Sequence, residues 1–376
     1  MLVSELLDHV ASGFELPPGV SGDIKERLVT RHRLQPFSEE YFRPGGRLFS
    51  YSRENSAASD AVGKARSASP PFCGKPLEPP GAQLRDVTLD RLAAFLSNPS
   101  KFFLAQRLNV TLPEEPAELE EREPFVLDAL ETHRLKHELV ALRLRPGPPP
   151  ADPAWMLASG RLPLGAVGRT EYRALAAGSD HFLELLQAHR PLTRPPHLDV
   201  DLAVGEFRVR GRILESTEAG PLYYRCAKTK AADILRAWVL HLAANCVEPR
   251  RKTTMVMEDG TRHYLQPDDP RALLLDLLKL WWLGLSAPLK FFPETALVFA
   301  TARRKAGRDG PGANHDEALH KARTRWKGSE YGPPGECSNP HFALCFRRTD
   351  PLDHEFVGLA ERIFEPILSH EEKEEP

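Results

Sequence analysis

No stretch of this 376-residue chain is apolar for long enough to cross a bilayer. The longest apolar run, residues 272–289, is interrupted by Asp276 and Lys279 and reads as a buried helix. The first residues are not expected to act as a secretory leader, because Glu5 and Asp8 fall inside the first apolar pattern and no basic residues lead it. Charge of one sign is missing too: the net charge is -2 and the pI near 6.7. That excludes coating nucleic acid by bulk charge and leaves only local patches. Cysteine is scarce, five residues without close pairing, which suits a reducing cytoplasm rather than a disulfide framework. There is no Gly-x-x-x-x-Gly-Lys loop, so no nucleotide is bound by that route. No nucleophile elbow surrounds any serine, no four-cysteine iron–sulfur pattern occurs, and no internal repeat is present.

What is there is ordinary for a globular chain, 41% apolar and 27% charged, except for 35 prolines, which predict many loops and interrupted helices. Residues 1–14 and 23–30 read as short helices with too little chain around them to build a core. An extended aromatic stretch, Gln35-Pro-Phe-Ser-Glu-Glu-Tyr-Phe-Arg-Pro-Gly45, precedes a segment of linker composition at 56–82. The expected organisation is therefore a small N-terminal piece at 1–55, a linker at 56–82 and a main domain at 83–376. In the main domain Thr88 caps a helix that runs to Ser97, a second helical segment follows from Asn98, and 123–144 is helical. Helices are also expected from Leu162 to about His189, at 268–285, 315–327 and 353–370. A last strand is expected within 290–301, a basic glycine-rich loop at 303–314, and a frayed acidic end at 371–375.

The chain is organised around residues 204–245. Phe207, Val209 and Ile213 alternate as in a half-buried strand; turn residues fill 215–220; a second strand covers 221–228; and Ile234, Trp238, His241, Leu242 and Asn245 share one helix face. A hairpin follows at 253–265, where Asp259-Gly260 supplies positive φ.

Together these stretches resemble the C-terminal part of RecC, the gamma subunit of exodeoxyribonuclease V, the RecBCD helicase-nuclease. The likeness is carried by Gln35-Pro-Phe with Tyr41 and Pro44-Gly45, by Asn98-Pro with Phe102-Phe103, and by Leu162-Pro-Leu-Gly-Ala-Val-Gly168. Ser286-Ala-Pro-Leu289 with Pro293-Glu294, and Lys321-Ala-Arg-Thr324, complete it. The resemblance implies an α/β fold with a PD-(D/E)xK nuclease-like core, a mixed sheet flanked by helices. It also implies that residues 1–55 are the tail of a helicase-like domain. An antiparallel pair formed by the strands at 204–214 and 221–228 and feeding a packed helix would be that core's unit.

In active relatives of that superfamily, the resemblance places a histidine and two carboxylates around magnesium, with a lysine nearby. Carried over, these positions fall on Tyr172, Leu214 and Cys226, and only Lys228 matches. A phenol, an isobutyl group and a thiol cannot serve a hard cation that takes oxygen ligands. Glu206 shares the face of Leu214 but lies roughly 26 Å along the strand, and Glu218 and Asp233 are the remaining acidic substitutes. On the face where the metal would lie, Arg208, Arg210 and Arg212 recur at period two and would attract phosphate, or would simply form a solvated strand face.

Arg303, Arg304, Lys305 and Arg308, with Lys321, Arg323, Arg325 and Lys327 beside Trp326, fit a single-strand groove or a solvated charged surface. Cys337, His341 and Cys345 are spaced like zinc ligands without a fourth. The resemblance implies a strand-separating wedge, for which the 253–265 hairpin and the 303–314 loop are candidates, although the hairpin also reads as a sheet edge. The expected function is a non-catalytic domain that guides single-stranded and forked DNA and scaffolds RecB-like and RecD-like subunits. In this reading it binds no cofactor, and magnesium and ATP are used by the partner subunits. An active metal-dependent exonuclease and a protein scaffold without DNA contact are the alternatives.

Overall fold

Two units make up the computed structural model, Met1–Pro70 and Pro71–Pro376. It describes residues 2–20, 22–63, 72–112, 127–144, 154–189, 197–249, 251–307, 314–329, 332–347 and 350–373. The first unit holds α1 (Leu2–Gly13), α2 (Ile24–Leu28), a single 3-10 turn at Glu39–Tyr41, and α3 (Arg53–Gly63). Asp23 caps α2 by accepting from the Lys25 amide at 3.0 Å. Little is buried here: α1 buries no residue, and the core hydrophobics are Tyr41 and Leu48. The stretch of linker composition begins inside α3, and residues 64–71 lie outside the described ones.

The second unit opens with β1 (Asp86–Thr88), α4 (Leu89–Ser97), α5 (Pro99–Arg107), α6 (Ala129–Arg143), α7 (Ala154–Ala158) and α8 (Gly165–His189). Then come β2 (Leu198–Val204), β3 (Phe207–Ile213), β4 (Ser216–Thr217), β5 (Gly220–Arg225), α9 (Ala231–Val247), β6 (Thr253–Met257) and β7 (Gly260–Tyr264). It closes with α10 (Pro270–Gly284), α11 (Pro293–Gly307), α12 (Asn314–Lys327), α13 (Pro340–Phe346), α14 (His354–Ser369) and β8 (Glu371–Lys373). Local chemistry sets the helix starts. Thr88 Oγ1 accepts from the Arg91 amide at 3.2 Å, and Asn98 Oδ1, ahead of Pro99, accepts from the Lys101 amide at 2.9 Å. In the Leu162–Gly168 motif, a Cβ on Gly168 would stand 1.8 Å from the Pro163 carbonyl oxygen. Only glycine lets the chain fold so tightly onto α8.

The described strands form two sheets, β1-β3-β2 and β4-β5-β6-β7-β8. The expected antiparallel pair of the 204–214 and 221–228 strands does not form. β3 pairs instead with β2, antiparallel from Leu198↔Ile213 to Val204↔Phe207, and with β1 in parallel, while β5 runs parallel to β6. The two-residue link Gly205-Glu206, with Gly205 at φ 58°, closes β2 onto β3 with the least loop entropy, so the nearer partner wins. The alternation itself is present, with Phe207, Val209 and Ile213 buried and the arginines between them exposed.

The five-stranded sheet is covered on both faces. Tyr223, Met255, Met257 and Tyr264 belong to or pack against the main core with α9, α10, α11 and α14. Leu222, Tyr224, Cys226 and Val256 face Val140 of α6 and Phe182, Leu183 and Leu186 of α8. This is a mixed sheet flanked by helices.

Four local expectations are corrected. The strand expected within 290–301 is helix α11, because Ala296, Phe299 and Ala300 are buried at the i, i+3, i+4 spacing of a helix face. That helix runs through Gly307, so residues 303–307 are helical where a basic loop was expected, and 308–313 lie outside the described residues. The acidic end is not frayed at its start. β8 pairs with β7, and Glu371, 6% exposed, holds Arg262 at 2.8 Å. The 253–265 hairpin is neither edge nor protruding wedge: β6 is the middle strand and all five of its residues are buried.

Candidate functional site at the end of β5

Period-two alternation sends Tyr223 and Arg225 toward α9, and Cys226 toward α6 and α8. A short connection, residues 226–230, then enters α9, where Asp233 is the third helical residue and receives the Lys230 amide at 3.0 Å. Tyr223 donates its hydroxyl to Asp233 Oδ1 at 2.8 Å, and Arg225 donates to Oδ2. Asp233 is buried. Burial, and then the neighbouring Asp233 carboxylate, pushes the Tyr223 phenol above its ordinary range.

On the other face Cys226 Sγ donates to Glu258 Oε1 at 3.3 Å, and Lys136 Nζ of α6 donates to the same oxygen at 3.0 Å. Burial, with help from Glu258, pushes the Cys226 thiol up to about 12. It is therefore a neutral donor, not a thiolate. Glu258 sits in the β6–β7 turn, and its amide donates to the Ala227 carbonyl at 3.0 Å. Next to it, Asp259 Oδ1 accepts from the Thr229 amide at 2.9 Å and from the Thr229 hydroxyl at 2.7 Å. The turn thus clasps the 226–230 connection. His133, one turn before His137 on α6 with ring centroids 6.3 Å apart, is held below the ordinary imidazole range. Burial is the first cause, then the charges of Arg225, His137 and Lys230.

The four positions expected from the nuclease resemblance, Tyr172, Leu214, Cys226 and Lys228, are not gathered into one polar site. Tyr172 packs with Leu135, Leu139, Met156, Leu162 and Leu175. Leu214 is 61% exposed beyond the end of β3, Cys226 is buried, and Lys228 is exposed. The acidic substitutes fit a metal no better. Both oxygens of Asp233 already accept hydrogen bonds, and Glu218 is an exposed turn residue whose carbonyl accepts from Arg251 at 2.8 Å. Among the described residues no three His, Cys, Asp or Glu side chains are grouped to hold an ion. The three residues at zinc-like spacing are likewise apart in role: Cys337 Sγ points to the Lys327 carbonyl, Cys345 packs with Phe103 and Leu104, and His341 Nδ1 lies 3.3 Å from Asn339 Oδ1.

The arginine row of β3 is engaged throughout. Arg208 binds Asp201 of β2 through two bonds, 2.8 and 2.7 Å. Arg210 binds Asp86 of β1 at 3.0 Å, and Arg212 binds Asp199 of β2 at 2.6 Å. The face is a ladder of alternating charge. Its signal was the Asp199-x-Asp201 alternation on the preceding strand, which places acids opposite the arginines once β2 and β3 are paired.

Trp326 corrects the single-strand groove. It is 8% exposed with its ring 4.2 Å from that of Phe292, so no base can stack on it. Arg303 pairs with Glu361 at 3.2 Å, Arg323 with Asp350 at 3.6 Å, and Arg325 donates to the Pro334 carbonyl at 3.1 Å. Arg304 is exposed on α11. Lys305 lies in the same helix, and Arg308 falls outside the described residues. Sequence reasoning missed Lys136 and Glu258, which lie 122 positions apart and share no periodic pattern.

Fold and site thus define a helix-covered mixed α/β domain whose most enclosed carboxylates are taken up by its own cations and donors. The chain belongs to the RecC C-terminal domain family, whose model matches residues 84–304. It is 26% identical over 341 residues to the RecBCD enzyme subunit RecC of Escherichia coli, covering 87% of this chain and 29% of that protein. The RecBCD enzyme subunit RecC of Mycobacterium tuberculosis is 27% identical over 355 residues, 90% of this chain and 30% of that one. That of Mycolicibacterium smegmatis is 28% identical over 291 residues, 73% of this chain and 26% of the relative. The chain spans less than a third of the length of these relatives.

Proposed function

We propose that this chain acts as a non-catalytic, DNA-guiding and scaffolding domain of a RecC-type subunit. It would work with RecB-like and RecD-like partners in a cytoplasmic complex that repairs double-strand breaks by recombination. In this reading residues 83–376 are a PD-(D/E)xK nuclease-like domain that has lost its metal, residues 1–55 are the tail of a helicase-like domain, and magnesium and ATP are used by the partners. The observation that carries the reading is the saturation of the acids near β5. Asp233 is spent on Arg225, Tyr223 and a helix amide, and Glu258 on Lys136 and Cys226. A phosphodiesterase metal needs such oxygens free.

The test is a nuclease assay with Mg²⁺ or Mn²⁺ on single-stranded, double-stranded and forked substrates, together with salt-dependent binding to the same DNA. Binding without cleavage is expected. Cleavage that disappears in Glu218→Ala or Asp233→Ala overturns the reading in favour of an exonuclease. A scaffold without DNA contact is favoured by one observation, the pairing of Arg208, Arg210 and Arg212 with their own acids. Capture of the partner subunits with no DNA affinity would decide for it.

A further inference from the structure

The smaller sheet runs β1-β3-β2, so one flank of β2 is an edge that no other strand among the described residues pairs. The two-residue link Gly205-Glu206 makes Val204↔Phe207 the hydrogen-bonded pair beside the turn, and the antiparallel pairs alternate from there. Val204, Leu202, Val200 and Leu198 therefore spend their backbone groups on β3, while those of Asp199, Asp201 and Ala203 point away from it. The outward carbonyl of Ala203 is taken by the Arg271 guanidinium. Beyond Asp199 and Asp201 no described residue supplies a strand. Leu198 and Leu202, on the core face of β2, are only partly buried, so apolar surface also stops short at this edge. The edge has a definite charge. On the solvent face the columns run acid, base, acid: Asp86 on β1, Arg208, Arg210 and Arg212 on β3, Asp199 and Asp201 on β2. The two outer aspartates keep more than half of their side-chain surface. A second copy of β2 laid antiparallel on this edge would set like charges opposite each other, which is destabilising.

We propose that the free edge of β2 receives an extended segment of a partner subunit, which adds a strand carrying lysine or arginine on its solvent face and Val, Ile or Leu on its core face. The assignment rests on the scaffolding part of the proposed function and names one place where a partner is held. Main-chain bonds to Asp199 and Asp201 supply the adhesion, and the alternating side chains select the segment. Basic residues beside the two aspartates continue the acid, base, acid order by one more column, and the apolar residues between them close over Leu198 and Leu202. Arg271 limits the register at one end, because it already occupies the Ala203 carbonyl. The same acidic row keeps the strand from pairing with copies of itself.

The experiment is hydrogen exchange at single-amide resolution, on the full chain alone and reconstituted with RecB-like and RecD-like subunits. The amides of Asp199 and Asp201 are expected to exchange fast in the free chain and about tenfold or more slowly in the complex, while Val200 and Leu202 are slow in both. Asp201→Pro removes one outward N–H and leaves the bonds to β3 in place; it is expected to weaken partner binding about tenfold, with slow exchange of Val200 and Leu202 as the check that β2 is intact. Asp199→Lys/Asp201→Lys keeps both N–H groups and reverses the charge, and is expected to weaken binding at least as much. Partner binding with the two amides exchanging as in the free chain overturns this seat and leaves the scaffolding reading standing. Absence of partner binding overturns both. Unchanged affinity in the charge-reversed variant overturns the basic occupant. Slow exchange of the two amides in the free chain also overturns the proposal: dependence on chain concentration assigns the edge to a second copy, and independence assigns it to the chain itself.

Discussion

Two glycines three residues apart are held by different physics. Gly168 has a carbonyl oxygen 1.8 Å from where its Cβ would be, whereas Gly165 has open space but φ +70°. Gly168→Ala should therefore cost about 3 kcal/mol through a backbone clash, and Gly165→Ala about 1 kcal/mol through left-handed strain. Urea unfolding of the two variants checks the order. His241 supplies a pH signature. It is fully buried, with Nδ1 2.9 Å from Thr253 Oγ1 and Nε2 3.1 Å from the Leu265 carbonyl, and burial pushes its pKa down to about 4. Because the folded value lies below the unfolded value of about 6.5, stability is whole above that pH and is lost as pH falls toward 4, by about 3 kcal/mol. His241→Gln should remove most of this slope in unfolding measured from pH 7 to pH 4. The position of His241 on the buried helix face was legible from its spacing with Trp238 and Asn245. Its hydrogen-bond partners were not, because they come from a strand and a loop that no local pattern couples to it.

At the scale of elements, helix starts are fixed partly from afar. Glu336 accepts from the Thr295 amide and hydroxyl, both at 2.8 Å, and from the Glu294 amide at 3.2 Å, capping α11. Glu294 in turn accepts from the Ala231 amide at 2.9 Å, capping α9. Glu336→Ala should lower stability by about 2 to 3 kcal/mol, since buried amides lose their acceptor, and Glu336→Gln by less; denaturant midpoints would separate them. Caps supplied by an adjacent residue, such as Thr88 and Asn98, could be read directly from sequence. The Pro293-Glu294 pair was visible as a motif, yet its role needed tertiary contacts. The α11 segment was misread because a short apolar run is compatible with strand and helix alike, and burial spacing decides only after folding. The charge ladder across β1, β3 and β2 is exposed, so its benefit should fade with added salt. Thermal melts of Arg208→Ala and Arg212→Ala at low and high ionic strength should converge on wild type at the high end.

For the molecule as a whole, burial is distributed very unevenly. The core of the second unit runs from Val87 to Ile367, while the first unit buries little beyond Tyr41 and Leu48. Hydrogen exchange should therefore be fast through α1 to α3 and slowest in β6, whose five residues are all buried. Equal protection in the two regions would contradict this. Helix content, the mixed sheet and the alternation of β3 were legible as periodicities. The division into two sheets was not, because pairing depends on which strand a loop can close upon at least entropic cost.

The chain of carboxylate caps has a mechanical corollary. The basic strap at 226–230 ends at the first turn of α9, which is pinned by a side chain of α11, itself pinned by residue 336 far downstream. Load applied at the connection between α12 and α13 would thus be transmitted to the start of α9, and so to the strap, through two short carboxylate struts.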